Sequence, residues 1–180
     1  MLYGQLDEKN ENLKFMGKEI DLLINYPKPK RNLDKRSSEK SKDDISIARK
    51  FGKEFFDGDR KHGYGGFYYD SRFWQPVIPT FQEHFNLTSE SSVLDVGCAK
   101  GFMMNDLTEL ITGITVKGID ISEYAIENAV EDMKPHMQVA NAKELPFEDS
   151  SFDVVISINT VHNLEEDECG EALQEIERIS

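Results

Sequence analysis

The pattern of apolar and polar positions changes character along the chain. Leu13, Met16, Ile20, Leu23 and Ile24 fall at helical spacing, and Pro27 and Pro29 end that stretch. From residue 91 onward, short apolar runs alternate with amphipathic ones. SSVLDVG (91–97), TVKGIDI (115–121) and FDVVISI (152–158) read as strands buried on both faces, and HMQVA (136–140) as a weaker one. Phe102, Met103, Leu107, Leu110 and Ile111 share a helical face. Ser122 is placed to cap a second helix carrying Tyr124, Ile126, Ala129, Val130 and Met133, with Pro135 marking its end. Acidic residues 165–168 open a third helix with Cys169, Ala172, Leu173, Ile176 and Ile179 as its stripe. The order β-α-β-α-β-β-α predicts an α/β fold, the front half (strands 1–4) of a Rossmann-like doubly wound parallel sheet.

Two stretches break the periodicity. Residues 28–50 carry nine bases and four acids with few apolar positions. They read either as a mobile solvated arm, or as a lid that folds over an anionic ligand or back onto an acidic body. Residues 51–85 hold 11 of the 18 aromatics together with Gly63, Gly65 and Gly66. Within them, HGYGGFYYDSRFW (62–74) has neither helical nor strand period and reads as an aromatic-rich loop. These aromatics either pad one end of a core or bring Tyr64, Arg72 and Trp74 to the substrate side of a binding site. The expected division is an N-terminal extension, residues 1–86, and a ligand-binding body, residues 87–180.

Charge sharpens that division. The chain of 180 residues has 34 acids against 21 bases, a net of −13. Residues 1–60 hold 14 bases and 12 acids, whereas residues 61–180 hold 7 and 22. So acidic a body is a poor match for nucleic acid, although the basic arm leaves a narrow opening. No apolar run approaches the ~20 residues of a membrane helix, and the first residues lack the apolar stretch of a secretory signal. Cys98 and Cys169 form no CxxC pair, so no metal site is indicated. The expectation is a reduced, cytoplasmic protein.

Ligands of such sheets bind beyond the carboxyl ends of the strands. There, Gly97 and Gly101 bracket a tight turn, with a helix start behind it to offer backbone donors. Asp95, just before the turn, suits a ligand carrying an ammonium or sulfonium group. Asp120 ends the second strand, where a carboxylate can accept both hydroxyls of a ribose. The dinucleotide pattern G-x-G-x-x-G is missing; the spacing here is G-x-x-x-G, which favours a nucleoside with an amino-acid tail over NAD.

Taken in order, VLDVGCAKG (93–101), GIDIS (118–122) and ANAKELPFEDSSFDVVISINTVHNL (140–164) resemble the class I S-adenosylmethionine-dependent methyltransferases. The likeness covers about residues 87–179, and FGKEFFDGDRKHGYGGFYYDSRFWQPV (51–77) is similar to the lead-in of a bacterial subgroup. The resemblance implies that Asp95, Gly97, Cys98, Ala99 and Gly101 cradle the methionine moiety of S-adenosyl-L-methionine. It implies that Asp120 holds the ribose, Ile121 packs on adenine, Asn141 and Ala142 meet the adenine edge, and Asn159 lies near the cofactor. Two positions depart from the family. Ala99 replaces a usual glycine, with little loss expected, and Asn141 replaces a usual Asp but can still accept a hydrogen bond.

The implied activity is methyl transfer to a small-molecule acceptor by in-line displacement. A protein base is required only where the acceptor must lose a proton. His162, after the fourth strand, is the best-placed candidate base or substrate ligand; otherwise it is a structural histidine at a loop–helix junction. His62 and Tyr64 are weaker candidates, His84 and His136 read as structural, and Cys98 as a small packing residue. The family's sheet normally has seven strands, and here FDVVISI would be left as a long apolar edge. The expectation is therefore an amino-terminal piece of a longer enzyme, to be refuted by a native gene ending at Ser180 with a stable, active product. Two alternatives stand beside the enzyme reading: a non-catalytic S-adenosylmethionine-binding module, and, less favoured, an NAD-dependent oxidoreductase.

Overall fold

The computed structural model describes residues 19–28 and 41–180. Four parallel strands form one sheet in the order β3-β2-β1-β4, with β1 Ser92–Val96, β2 Thr115–Asp120, β3 Met137–Val139 and β4 Val154–Ile156. β1 is buried along nearly its whole length, because both faces of the sheet are covered. On one face Val93 and Val116 pack with Met103, Met104 and Leu107 of a helix and with Val77, Ile78 and Phe81 from the N-terminal segment. On the other, Leu94, Val96 and Ile119 pack with Leu145, Phe152, Ala172 and Ile179.

The helices are α1 Lys42–Ala48, α2 Lys53–Phe56, α3 Ser71–Trp74, α4 Ile78–Phe85, α5 Phe102–Leu110, α6 Glu123–Glu127 and α7 Glu166–Ile179. Ser122 caps α6 as its position predicts, accepting from the Ala125 N–H at 3.0 Å. α7 opens on a capping box between Glu165 and Glu168. Its stripe buries Ala172 and Ile179 but leaves Leu173 half exposed.

Five sequence expectations need correction. The second helix does not run to Met133: α6 stops at Glu127, and Glu131–His136 form a 3₁₀ turn with Pro135 inside it. The Val130 N–H is drawn instead to the Lys100 carbonyl at 3.0 Å, tying this segment to the glycine turn. The aromatic segment is irregular between α2 and α3, over residues 57–70, but the end of the expected loop, Ser71–Trp74, is helix α3. The described part of the basic arm holds a helix, α1, started by a capping box between Ser41 and Asp44. Its Lys30, Arg31, Lys35, Arg36 and Lys40 lie outside the described residues. Of the N-terminal amphipathic stretch, Leu13 and Met16 also lie outside them. Residues 22–25 form turns rather than helix, with Leu22, Leu23 and Tyr26 packed on the core. β4, at the sheet edge, is three residues long, shorter than its apolar run suggests. Among the described residues no helix is long and apolar enough to cross a membrane.

Candidate functional site

The carboxyl ends of β1 and β2 converge on one turn. The N–H groups of Gly97 and Cys98 both donate to the Ile119 carbonyl, at 2.8 and 3.0 Å, so the chain leaving β1 is pinned across the end of β2. Gly97 has φ 88° and Gly101 φ 74°, and a Cβ on Gly97 would sit 1.9 Å from Thr160 Oγ1. Glycine is required there by space as well as by backbone angle. Ala99 also takes the left-handed conformation, φ 50°. The substitution expected to be neutral therefore holds strain of about 1–2 kcal/mol, typical of a non-glycine residue in that region.

Asp120 closes the arrangement. One carboxylate oxygen accepts from the Ala99 N–H and the other from the Ser122 N–H, both at 2.8 Å. Burial pushes its pKa up, against the opposing pull of the Ser122, Ala99 and Ile121 N–H groups. Each oxygen keeps a second lone pair for a ligand hydroxyl. Asp95 is more isolated: it is buried, makes no side-chain hydrogen bond among the described residues, and has its pKa pushed up to about 8 by burial and then by Asp120. Burial likewise raises the Cys98 thiol well above its ordinary range, so Cys98 is an inert packing group.

Beside this turn opens a pocket with about 940 Å³ of empty space, mouth solvent included. Gly97, Ala99, Asp120, Ile121, Asn141, Ala142 and Asn159 line it, seven of the ten residues singled out for a cofactor. Asp95, Cys98 and Gly101 stand behind the wall. Ile121 is 54% exposed, an apolar face turned to a wet cavity. Asn141 Oδ1 accepts from the Lys143 N–H at 3.1 Å and keeps one lone pair free. At the same end, Lys143 and Glu168 pair at 2.6 Å.

Sequence reasoning named Tyr64 for this site but missed Phe51, Phe55 and Phe56, which join it in an aromatic wall supplied by the N-terminal segment. It also missed what fastens that wall. Lys100, inside the glycine turn and almost wholly buried, donates to both carboxylate oxygens of Asp57, at 2.9 and 2.7 Å, and to the Phe67 carbonyl at 3.0 Å. Tyr124 adds a hydroxyl to Asp57 at 2.7 Å, and its own pKa is pushed up to about 12 by that carboxylate. Burial drives Asp57 upward, but Lys100, Tyr124 and the Phe67 N–H outweigh it and hold the carboxyl below its ordinary range. A charged side chain in an otherwise apolar and glycine turn was the available signal, since a buried Lys needs a partner.

The substrate-side candidates separate. Tyr64 joins the pocket. Arg72 does not: it is exposed and paired with Asp70 at 2.6 Å. Trp74 packs edge-on against Tyr26 in the core instead. His162 is exposed on a 3₁₀ turn, Val161–Asn163, beside the lining residues Thr160 and Asn163 but not itself in the wall. His62 is buried with Nε2 3.1 Å from Asp44, bracing α1. His84 lies against the Phe85 ring, and His136 ends the 3₁₀ turn that precedes β3. No group of three or more metal-ligating side chains occurs among the described residues.

Strain marks the same place. Among the described residues, five non-glycine positions have left-handed φ, and three of them, Phe51, Ala99 and Asn159, line this pocket. Of the others, Asn86 caps a helix end, and Ser150 lies in the bend before β4. Strained backbone persists where surrounding contacts hold it, and it gathers at binding sites.

A parallel sheet with helices on both faces, a glycine turn after β1 and an acid ending β2 define a nucleotide-type α/β domain. Residues 94–180 match a family described as a methyltransferase domain. The O-methyltransferase resE of Aspergillus sclerotiorum is 34% identical over 94 residues, covering 48% of this chain and 34% of its own. Mouse Arginine-hydroxylase NDUFAF5, mitochondrial, is 33% identical over 70 residues, covering 38% and 20%. The solved structure of mmp1179 from Methanococcus maripaludis shares the fold with a TM-score of 0.52 at 18% identity, over 85% of this chain and 62% of that one. The match thus spans 34% and 20% of the length of these two curated relatives.

Proposed function

We propose that the chain binds S-adenosyl-L-methionine in this pocket and serves methyl transfer to a small-molecule acceptor. The observation that carries the reading is the meeting, in one cavity, of the Gly97 turn, the Asp120 carboxylate and the open apolar face of Ile121. The residues fit such a group. Asp120 has acceptor capacity for vicinal ribose hydroxyls, and Gly97 allows close backbone approach. Ile121 and Ala142 offer apolar surface to a flat base, and Asn141 can meet its edge. Asp95 is a buried acid whose lack of a protein partner suits a cationic tail. Asn159 belongs to the same wall, near the strained turn after β4.

S-adenosylmethionine, when bound, supplies an electrophilic methyl group on a sulfonium centre. The chain's part is positioning and exclusion of water: the aromatic wall, held to the glycine turn by Lys100 and Asp57, screens the cavity. His162, next in sequence to the lining residue Asn163, is one residue that could take a proton from an acceptor; Tyr64, in the wall itself, is the other. The acidic surface and the O-methyltransferase relative both fit a small acceptor rather than nucleic acid, and a cytoplasmic setting fits the two unpaired cysteines. A second reading, oxidation of a substrate on the same domain, has the mouse hydroxylase relative behind it. Incubation with methyl-labelled S-adenosylmethionine and a panel of phenol, amine and thiol acceptors tests the proposal. Label in product supports it. Binding without label transfer to any of them would favour the oxidative or the non-catalytic reading.

A further inference from the structure

The flap over this pocket is written into three neighbouring residues. Phe51, a bulky aromatic, sits at φ 47°, a conformation that such side chains rarely adopt. Its carbonyl accepts from the Ser122 hydroxyl, and its ring stands edge-on to Phe55, 5.1 Å between centroids. Both rings belong to lining residues. Ser122 is almost fully buried and faces three ways: its backbone N–H holds Asp120, and its hydroxyl donates to the Phe51 carbonyl while accepting from the Ala125 N–H. On the N-terminal side of Phe51, helix α1 buries none of its residues. Its ties are Asp44 to His62 and Lys61, and an exposed pair of Arg49 with Glu165 at 3.9 Å, which reaches the start of α7 beyond the pocket wall. On the C-terminal side, Gly52 opens α2, its carbonyl accepting from the Phe55 and Phe56 N–H groups, and a Cβ there would meet nothing within 4 Å. Beyond it, Asp57 is locked to Lys100.

We propose that residues 41–51 form a flap hinged at Phe51 and Gly52 that shuts over the nucleoside end of the pocket, with Ser122 as the positioning residue that couples it to Asp120. The proposal rests on the cofactor reading above. A ligand engaging Asp120 orders the Ser122 backbone, and Ser122 in turn holds Phe51 in its left-handed conformation. The flap then slows ligand escape more than it alters entry, because its contacts form after encounter.

The test uses the full chain and S-adenosylhomocysteine. Phe51→Gly removes the ring but keeps the backbone angle without strain, so it retains the fold. Its expected effect is dissociation faster by about tenfold or more, as loss of an aromatic wall implies, with little change in association. Ser122→Ala should do the same while Ser122→Thr, which keeps the hydroxyl, restores slow release; loss of helix capping alone would not separate the two rates. Amide hydrogen exchange of residues 41–51 should slow when the ligand is added. The flap is overturned if S-adenosylhomocysteine binds but dissociates from Phe51→Gly within about twofold of the wild-type rate, or leaves exchange in residues 41–51 unchanged. Failure of the wild-type chain to bind at all would instead sink the cofactor reading, and the flap with it.

Discussion

Asp95→Asn should make the free protein more stable and its stability less sensitive to pH. Asp95 is 4% exposed, has no hydrogen-bond partner among the described residues, and holds its proton up to about pH 8. In the unfolded chain an Asp loses its proton near pH 4. Between pH 5 and pH 7, therefore, the folded state keeps a proton that the unfolded state has released. Stability falls as pH rises through that window, by about 1.4 kcal/mol per pH unit. Over two units the loss attributable to this one group reaches at most about 3 kcal/mol. Asn is nearly isosteric and binds no proton in either state, so the variant lacks that slope. Urea unfolding of both proteins at pH 5, 6 and 7 measures it, the wild type losing up to that much more than the variant. Asp95→Asn should also weaken S-adenosylhomocysteine binding, because only the wild-type carboxyl can release its proton and pair with the ligand's ammonium. Parallel stability profiles would refute the argument that an unpartnered buried carboxyl is kept here at a cost for the ligand's sake.

Lys100→Met should destabilise the chain by about 3 kcal/mol or more, since it strands Asp57 in a partly buried site; equilibrium denaturation reads it, and a loss under 1 kcal/mol would mean that the clamp is idle. Gly97→Ala should cost at least about 2 kcal/mol from the clash with Thr160 and the positive φ, with Thr160→Ala recovering only part, as thermal melts of the single and double variants will show. Arg178→Ala should free residues 145–149, because Arg178 donates to the Leu145 and Phe147 carbonyls and pairs with Glu175 and Asp149; faster hydrogen exchange confined to that loop is the expected readout.

Where local pattern and tertiary demand agree, the sequence was readable. The apolar runs of β1 and β2 and the cap at Ser122 stand where periodicity puts them, because a buried parallel strand and an N-cap each depend on neighbours in sequence. The end of α6 was not readable, because the Lys100 carbonyl that captures the Val130 N–H is thirty positions away. Arg72 and Trp74 carry the chemistry of a binding site, yet one is spent on Asp70 two residues off and the other on Tyr26 in the core. Residue type does not say which way a side chain faces. The wall of Phe51, Phe55 and Phe56 was visible only as an excess of aromatics. Its placement depends on the long-range pair of Asp57 and Lys100, which no spacing rule connects. Ala99 taught the opposite lesson: alanine was expected to tolerate the turn with little loss, whereas the turn puts it at a left-handed backbone angle.

The central claim is that Asp120 and the glycine turn hold an adenosyl ligand. Calorimetric titration of the full chain and of Asp120→Ala with S-adenosylhomocysteine, with NAD as the comparison, tests it most directly. Single-site binding of S-adenosylhomocysteine is expected, with no measurable heat from NAD and a loss of roughly 1.5–3 kcal/mol in the variant, as removal of charge-assisted hydrogen bonds implies. Equal affinity of the two proteins for S-adenosylhomocysteine, or a preference for NAD, would contradict it.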